Sequence, residues 1–232
     1  TTGNLSWTPG PISGATYYVN DGVNDLSTVL AQVGAQQGAQ IIISSGSFGG
    51  SAINVTADNL AIIGPNCTPA IVELLRAVTV SGTRIRMTHI QMDGVATLTG
   101  NGCRYSNCDF PQNVTVGSGS NSSYITLENC EFASGKTLTI NATGNSAPIY
   151  FINCNIAGAT VVVNSVSPLQ VAFINCAGFL ALPLTTKATL AGLNSLASGI
   201  VNNAIQRTIL ASGRGTAGQL LTSGGESGND TW

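Results

Sequence analysis

Ten carboxylates are all this chain has for acid–base chemistry: Asp21, Asp25, Asp58, Glu73, Asp93, Asp109, Glu128, Glu131, Glu226 and Asp230. Two carboxyl groups about 5–5.5 Å apart cleave glycosidic bonds with retention, one as acid and the other as nucleophile. Asp109 and Glu131 are the best candidates for such a pair. Each stands two residues after an Asn-Cys dipeptide, Asn107-Cys108 and Asn129-Cys130. Equivalent places in successive turns of a stacked repeat lie about 4.8 Å apart at the backbone. Glu128, three residues before Glu131, is a third candidate. Tyr124 and Arg104 are the nearest side chains able to contact a glycan. The plainer account is that these acids are solvated positions at a bend, because the next two periods put Asn155 and Ala177 at the same place.

Cysteine chemistry is constrained by the same spacing. Six Cys and one His are present. A zinc site would want CxxC-type clusters with His nearby, and the chain has no such cluster, so no metal or cofactor is expected. Cys108, Cys130, Cys154 and Cys176 each follow an Asn, one per period. They read as an inward stack of small apolar side chains, reduced rather than bridged, since free Cys is among the most buried residue types. Disulfides are the alternative. Reduced thiols suit assembly in a cytoplasm.

The elements that position these residues follow from the repeat. The Asn residues recur at intervals of 22, 24 and 22, and His89-Ile90 fits the same slot 18 residues before Asn107. Apolar or half-apolar residues sit four and two places before each, as in Ile125 and Leu127 or Ile149 and Phe151. Another follows three places after, as in Phe110, Phe132 and Ile156. A second short strand comes next, "VATL" at 95–98, "VTV" at 114–116, "LTI" at 138–140 and "VVV" at 161–163. Short period-two strands separated by Gly, Ser or Asn, repeating at this length, mark a coil that stacks on itself. Leucine-rich repeats share the length but need a Leu-rich consensus and a helical segment. The pattern predicts an all-β, right-handed parallel β-helix of about seven turns, with stacked Asn residues at a bend and a phase slip that turns each Cys inward.

Open coil ends invite unwanted pairing. At the N-terminal side Leu26, Val29, Leu30 and Val33 fall at i, i+3, i+4, i+7, with Asp25 as N-cap and Gly34 as stop. This predicts one short capping helix.

The stretch "YYVNDGVNDLSTVLAQ…IIISSGSF…LAIIGPN" resembles the opening of the pectate-lyase-like right-handed β-helices of phage and viral tailspikes. The likeness spans roughly residues 15–180. "GTAGQLLTSGGESGNDTW" is similar to a segment of phage tail fibres and large-virus surface proteins. These resemblances imply a virion protein, a tail fibre or surface spike assembled in the host cytoplasm. They also imply a homotrimer and attachment to a host cell-surface glycan. Some members cleave that glycan, which makes a glycoside hydrolase or lyase the alternative; a pectate-lyase reaction would need a Ca²⁺-holding acid cluster and a base, and no convincing set is present.

Division of the chain follows: residues 1–14 as a fibre-type linker, 15–182 as the β-helix domain, and 183–232 as an oligomerisation and linker segment. Leu190, Leu193, Leu196 and Ile200 give the last segment a helix-compatible stripe without enough chain around it to bury it. Gly3-Asn4-x-Ser6-Trp7 and Gly228-Asn229-x-Thr231-Trp232 share one frame and hold the only two Trp, as if one module had been cut from a longer fibre.

Composition agrees with a polar, charge-poor coil. Charged residues are 8 % of the chain with net charge −2, against about 25 % charged in ordinary domains. Nucleic-acid binding and attraction to acidic lipid are not indicated. No apolar run approaches the roughly 20 residues of a membrane-spanning helix, and no N-terminal signal segment is recognised. Asn-x-Ser/Thr sequons begin at Asn4, Asn54, Asn66, Asn113, Asn121, Asn141 and Asn229. They leave a eukaryotic-virus glycoprotein open.

Overall fold

The computed structural model describes residues 14–20, 26–34, 38–66, 72–117, 124–141, 148–164 and 171–181. Asp25, the tail beyond residue 181, and both Trp frames lie outside these residues.

Strand β1 (Thr16–Val19) leads into helix α1 (Leu26–Val33), and the chain then runs through β2 (Gln40–Ile43), β3 (Gly46–Phe48) and β4 (Ile53–Val55). That three-strand unit repeats, and its copies pair strand on strand in parallel. The first sheet has eight strands, from β1 to Val171–Ile174; the second, begun by β3, has five; the third, begun by β4, has six. The result is an all-β parallel solenoid of about six turns with one short helix.

Alternation decides what is inside. On the first sheet Ile62, Met87, Tyr105, Leu127, Phe151 and Phe173 form one inward column, each at most 2 % exposed. On the second, Phe48, Leu74, Met92, Phe110 and Phe132 form another, each at most 5 % exposed. Aromatic rings link the turns: Phe110 stacks on Phe132 at 5.0 Å and Phe151 on Phe173 at 4.5 Å. Phe179, in a short 3₁₀ turn (Phe179–Ala181), continues the series 5.4 Å from Phe173 and covers part of the last turn.

The bends have a backbone cause. His89, Asn107, Asn129, Asn153 and Asn175 all adopt left-handed conformations, with φ between 51° and 57°. Asn tolerates this region better than most L-residues. The register of the flanking strands puts the four Asn in one column. The left-handed residue shifts the alternation by one place, so that Cys108, Cys130 and Cys154 are buried. Cys176, expected to be buried like them, is only half-buried; it lies in the last described turn, and no described strand stacks beyond it. Each of these thiols donates to a carbonyl one turn earlier, Cys154 to Leu127 at 3.4 Å and Cys176 to Phe151 at 3.3 Å. All five described cysteines are free.

A second left-handed corner precedes the first sheet, at Gly38, Asn59, Arg84, Gly102 and Tyr124. Two places earlier the turns approach so closely that a Cβ on Gly82 would stand 2.0 Å from the Ala57 carbonyl oxygen. Only glycine fits there.

Helix α1 buries Leu26, Val29, Leu30 and Val33, the four residues expected to face inward. It lies against β1 and β4, the N-terminal edge strands of the first and third sheets. Eight residues are too few to be helical alone, so packing on those edges holds it. Gly34, at φ 48°, ends it and donates to the Leu30 carbonyl at 3.1 Å.

Candidate functional site

The second sheet points one residue per turn at solvent. Register places Ser47, Glu73, Gln91, Asp109, Glu131 and Asn155 in a single outward column. Asp109 and Glu131 are direct partners on adjacent strands, as the repeat spacing predicts. Ser47, Glu73 and Gln91 extend the column toward the N-terminus and were not expected. Gln91 sits two places after His89 and is findable from the repeat. Glu73 and Ser47 are not, because the first turns lack the Asn-Cys punctuation.

The Ser47 hydroxyl donates to the Glu73 carboxylate along this column, whereas Gln91 Nε2 donates within its own turn to Asp93 Oδ1 at 2.8 Å. Asn155 Nδ2 points at Glu131 Oε1 at 3.5 Å. Partial burial, and then the Glu131 charge beside it, push the Asp109 carboxyl above its ordinary pKa.

The remaining candidates lie around the Asn corner, on another face. Arg104 and Glu128 project from the first sheet on neighbouring strands and form an ion pair. Tyr124 stands at the corner before that sheet, left-handed at φ 59° and 63 % exposed. The structure thus brings Asp109 and Glu131 together and, separately, Arg104 and Glu128. Glu128 does not join the acid pair, because the corner at Asn129 turns the chain between them.

Asp109 and Glu131 stand one register step apart on the same parallel ladder, about 4.8 Å at the backbone. Carboxylates and amides spaced one per turn offer hydroxyl-rich ligands a row of partners: carboxylates accept, and amides donate and accept.

Among the described residues no group of three or more His, Cys, Asp or Glu could hold a metal ion, and no helix is long and apolar enough to cross a membrane. Set against known proteins, the chain matches no family model, no curated protein and no solved structure.

Proposed function

We propose that this chain is a structural and adhesive module of a viral fibre or spike, and that it contributes to attachment at a host cell-surface glycan. In this reading the coil is right-handed and pectate-lyase-like, with about seven turns once the incomplete end turns are counted. Residues 183–232 form the linker and oligomerisation segment of a homotrimer. The protein belongs to the virion and is assembled in the host cytoplasm.

The observation that carries the proposal is the outward column Ser47–Glu73–Gln91–Asp109–Glu131–Asn155 on a stiff, turn-by-turn scaffold. It offers a polyol chain a repeating set of acceptors and donors without any need for moving parts. Glycan binding should therefore fall at least tenfold when Glu131→Ala and Asn155→Ala are combined, while the far-UV spectrum stays unchanged. Surface-immobilised host polysaccharides and a sedimentation measurement of subunit mass test the two halves. Failure to bind any of them sinks the adhesive half, and a mass near 23.6 kDa sinks the trimer.

A polysaccharide-cleaving enzyme on the same fold is the second reading. It is favoured by the Asp109–Glu131 register and the raised Asp109 pKa. New reducing ends or unsaturated sugars after incubation, abolished by Glu131→Gln, would establish it over simple adhesion.

A further inference from the structure

The outer face of the third sheet differs in kind from the other two. Among the described residues, Arg86, Arg104 and Glu128 project from the first sheet and Glu73, Asp109 and Glu131 from the second. The other charged residues occupy corners, and none stands in a strand of the third sheet. Its central outward column is Asn54, Thr79, Thr97, Thr115, Thr139 and Val162, in register across all six strands. Thr99 and Thr137 widen it on either side, giving the pattern Thr-Leu-Thr in two of the turns. The face is flat, uncharged and hydroxylated.

We propose that this face is where three copies of the chain meet, each turning its third sheet toward a symmetry axis that runs alongside the solenoids. The side chains nearest a three-fold axis stand close to their own copies at the same height. Charged groups would repel their own copies there, and the third sheet is the one face without them. Threonine suits the place for a further reason. Its hydroxyl both donates and accepts, so it can pair with itself, and its methyl supplies apolar contact.

Size decides how much this contact can do alone. Six strands cover about 24 Å and the outward columns about 15 Å, or roughly 350 Å² per copy. That is under half of the ~800 Å² per partner of a standard stable interface. The face is therefore an alignment surface, held at high effective concentration by association elsewhere in the chain. The inference rests on the homotrimer reading above and assigns it a face.

The test uses the full chain. Thr97→Cys places a thiol at the middle of the central column, and Thr126→Cys places one on the outer face of the first sheet. The native described thiols are buried apart from the half-buried Cys176, so the unmodified chain gives the background for a short bis-maleimide cross-linker. The expected result is at least tenfold more cross-linked product for Thr97→Cys than for Thr126→Cys. A Thr97→Arg/Thr115→Arg variant, with its fold checked by far-UV spectroscopy, should also lose assembly at dilutions where the unmodified chain is still trimeric. A trimer in which the two Cys variants cross-link equally, and which the Arg pair leaves intact, overturns the assignment of this face and spares the trimer. An unmodified chain that is monomeric at all concentrations overturns both.

Discussion

Asn129 illustrates how one residue sets a bend. It holds φ at 51° and donates its backbone N–H to the Ile152 carbonyl of the next turn at 2.9 Å. A β-carbon in this region costs roughly 1–2 kcal/mol unless the residue is Gly or, less strictly, Asn or Asp. Asn129→Ala should therefore destabilise the fold by about 1 kcal/mol in denaturant titration, while Asn129→Gly should be near neutral. Equal losses for both would mean that the Asn side chain, not its backbone preference, holds the corner. Asp109 makes a pH-dependent case. Its pKa is raised in the folded state by partial burial and by Glu131, so the folded chain holds this proton more tightly than the unfolded chain does. The stability it contributes is present below the ordinary carboxyl range and lost as pH rises through the folded pKa. Asp109→Asn should then raise the thermal midpoint slightly at neutral pH, with the advantage vanishing at acid pH. A stabilisation equally large at both pH values would remove Glu131 and burial as its cause.

Strands and corners were legible in the chain to different degrees. The Asn-Cys dipeptides gave away one corner because both residue types are selected there, Asn for its left-handed backbone and Cys for the inward place after it. Helix α1 was legible from four apolar residues at helical spacing. The other left-handed corner was harder to see, since Arg84 and Tyr124 share it with Gly38, Asn59 and Gly102 and no single residue type marks it from turn to turn. Two-residue strands such as Asp109–Phe110 and Glu131–Phe132 are too short for period-two alternation to show, and only the stacking register reveals them. The acid pair was found because it shares the Asn frame; the rest of its column lies in turns where that frame is absent. The thiol column has its own chemical consequence. Contact with the Cys130 thiol, and then burial, push Cys154 up to about 12, and the neighbouring Cys108 thiol likewise raises Cys130. A raised folded pKa means stability that is complete below the ordinary thiol range and declines as pH climbs from about 8.5 toward 12. Denaturation midpoints should fall across that window, less steeply in Cys154→Ala. A fall of the same steepness in both would acquit the thiols.

At the scale of the whole molecule, stability is a sum over neighbouring turns. Each turn touches only those above and below it, so cooperativity spreads along the axis from contact to contact. The N-terminal end is closed by α1 over two edge strands. At the other end Phe179 covers part of the last turn. Amide exchange should consequently be fastest in Val171–Ile174 and slowest near Tyr105, with intermediate protection between them. Uniform protection along the axis would show that the opposite end is closed as firmly as the first.

The left-handed Asn column has a consequence for how such a chain changes over generations. Asn107 and Asn129 hold the same backbone state, so the 22 residues from Asn107 to Glu128 begin and end in phase. Excising that segment joins Ser106 to Asn129 and leaves every inward residue facing inward. Deleting 21 or 23 residues instead would turn the following alternation inside out. The 22-residue deletion should fold and shorten the rod by about 4.8 Å, whereas its two neighbours in length should aggregate. Length is thus inherited in whole turns, and duplication or loss of one period lets a lineage adjust the reach of the rod without redesigning its interior.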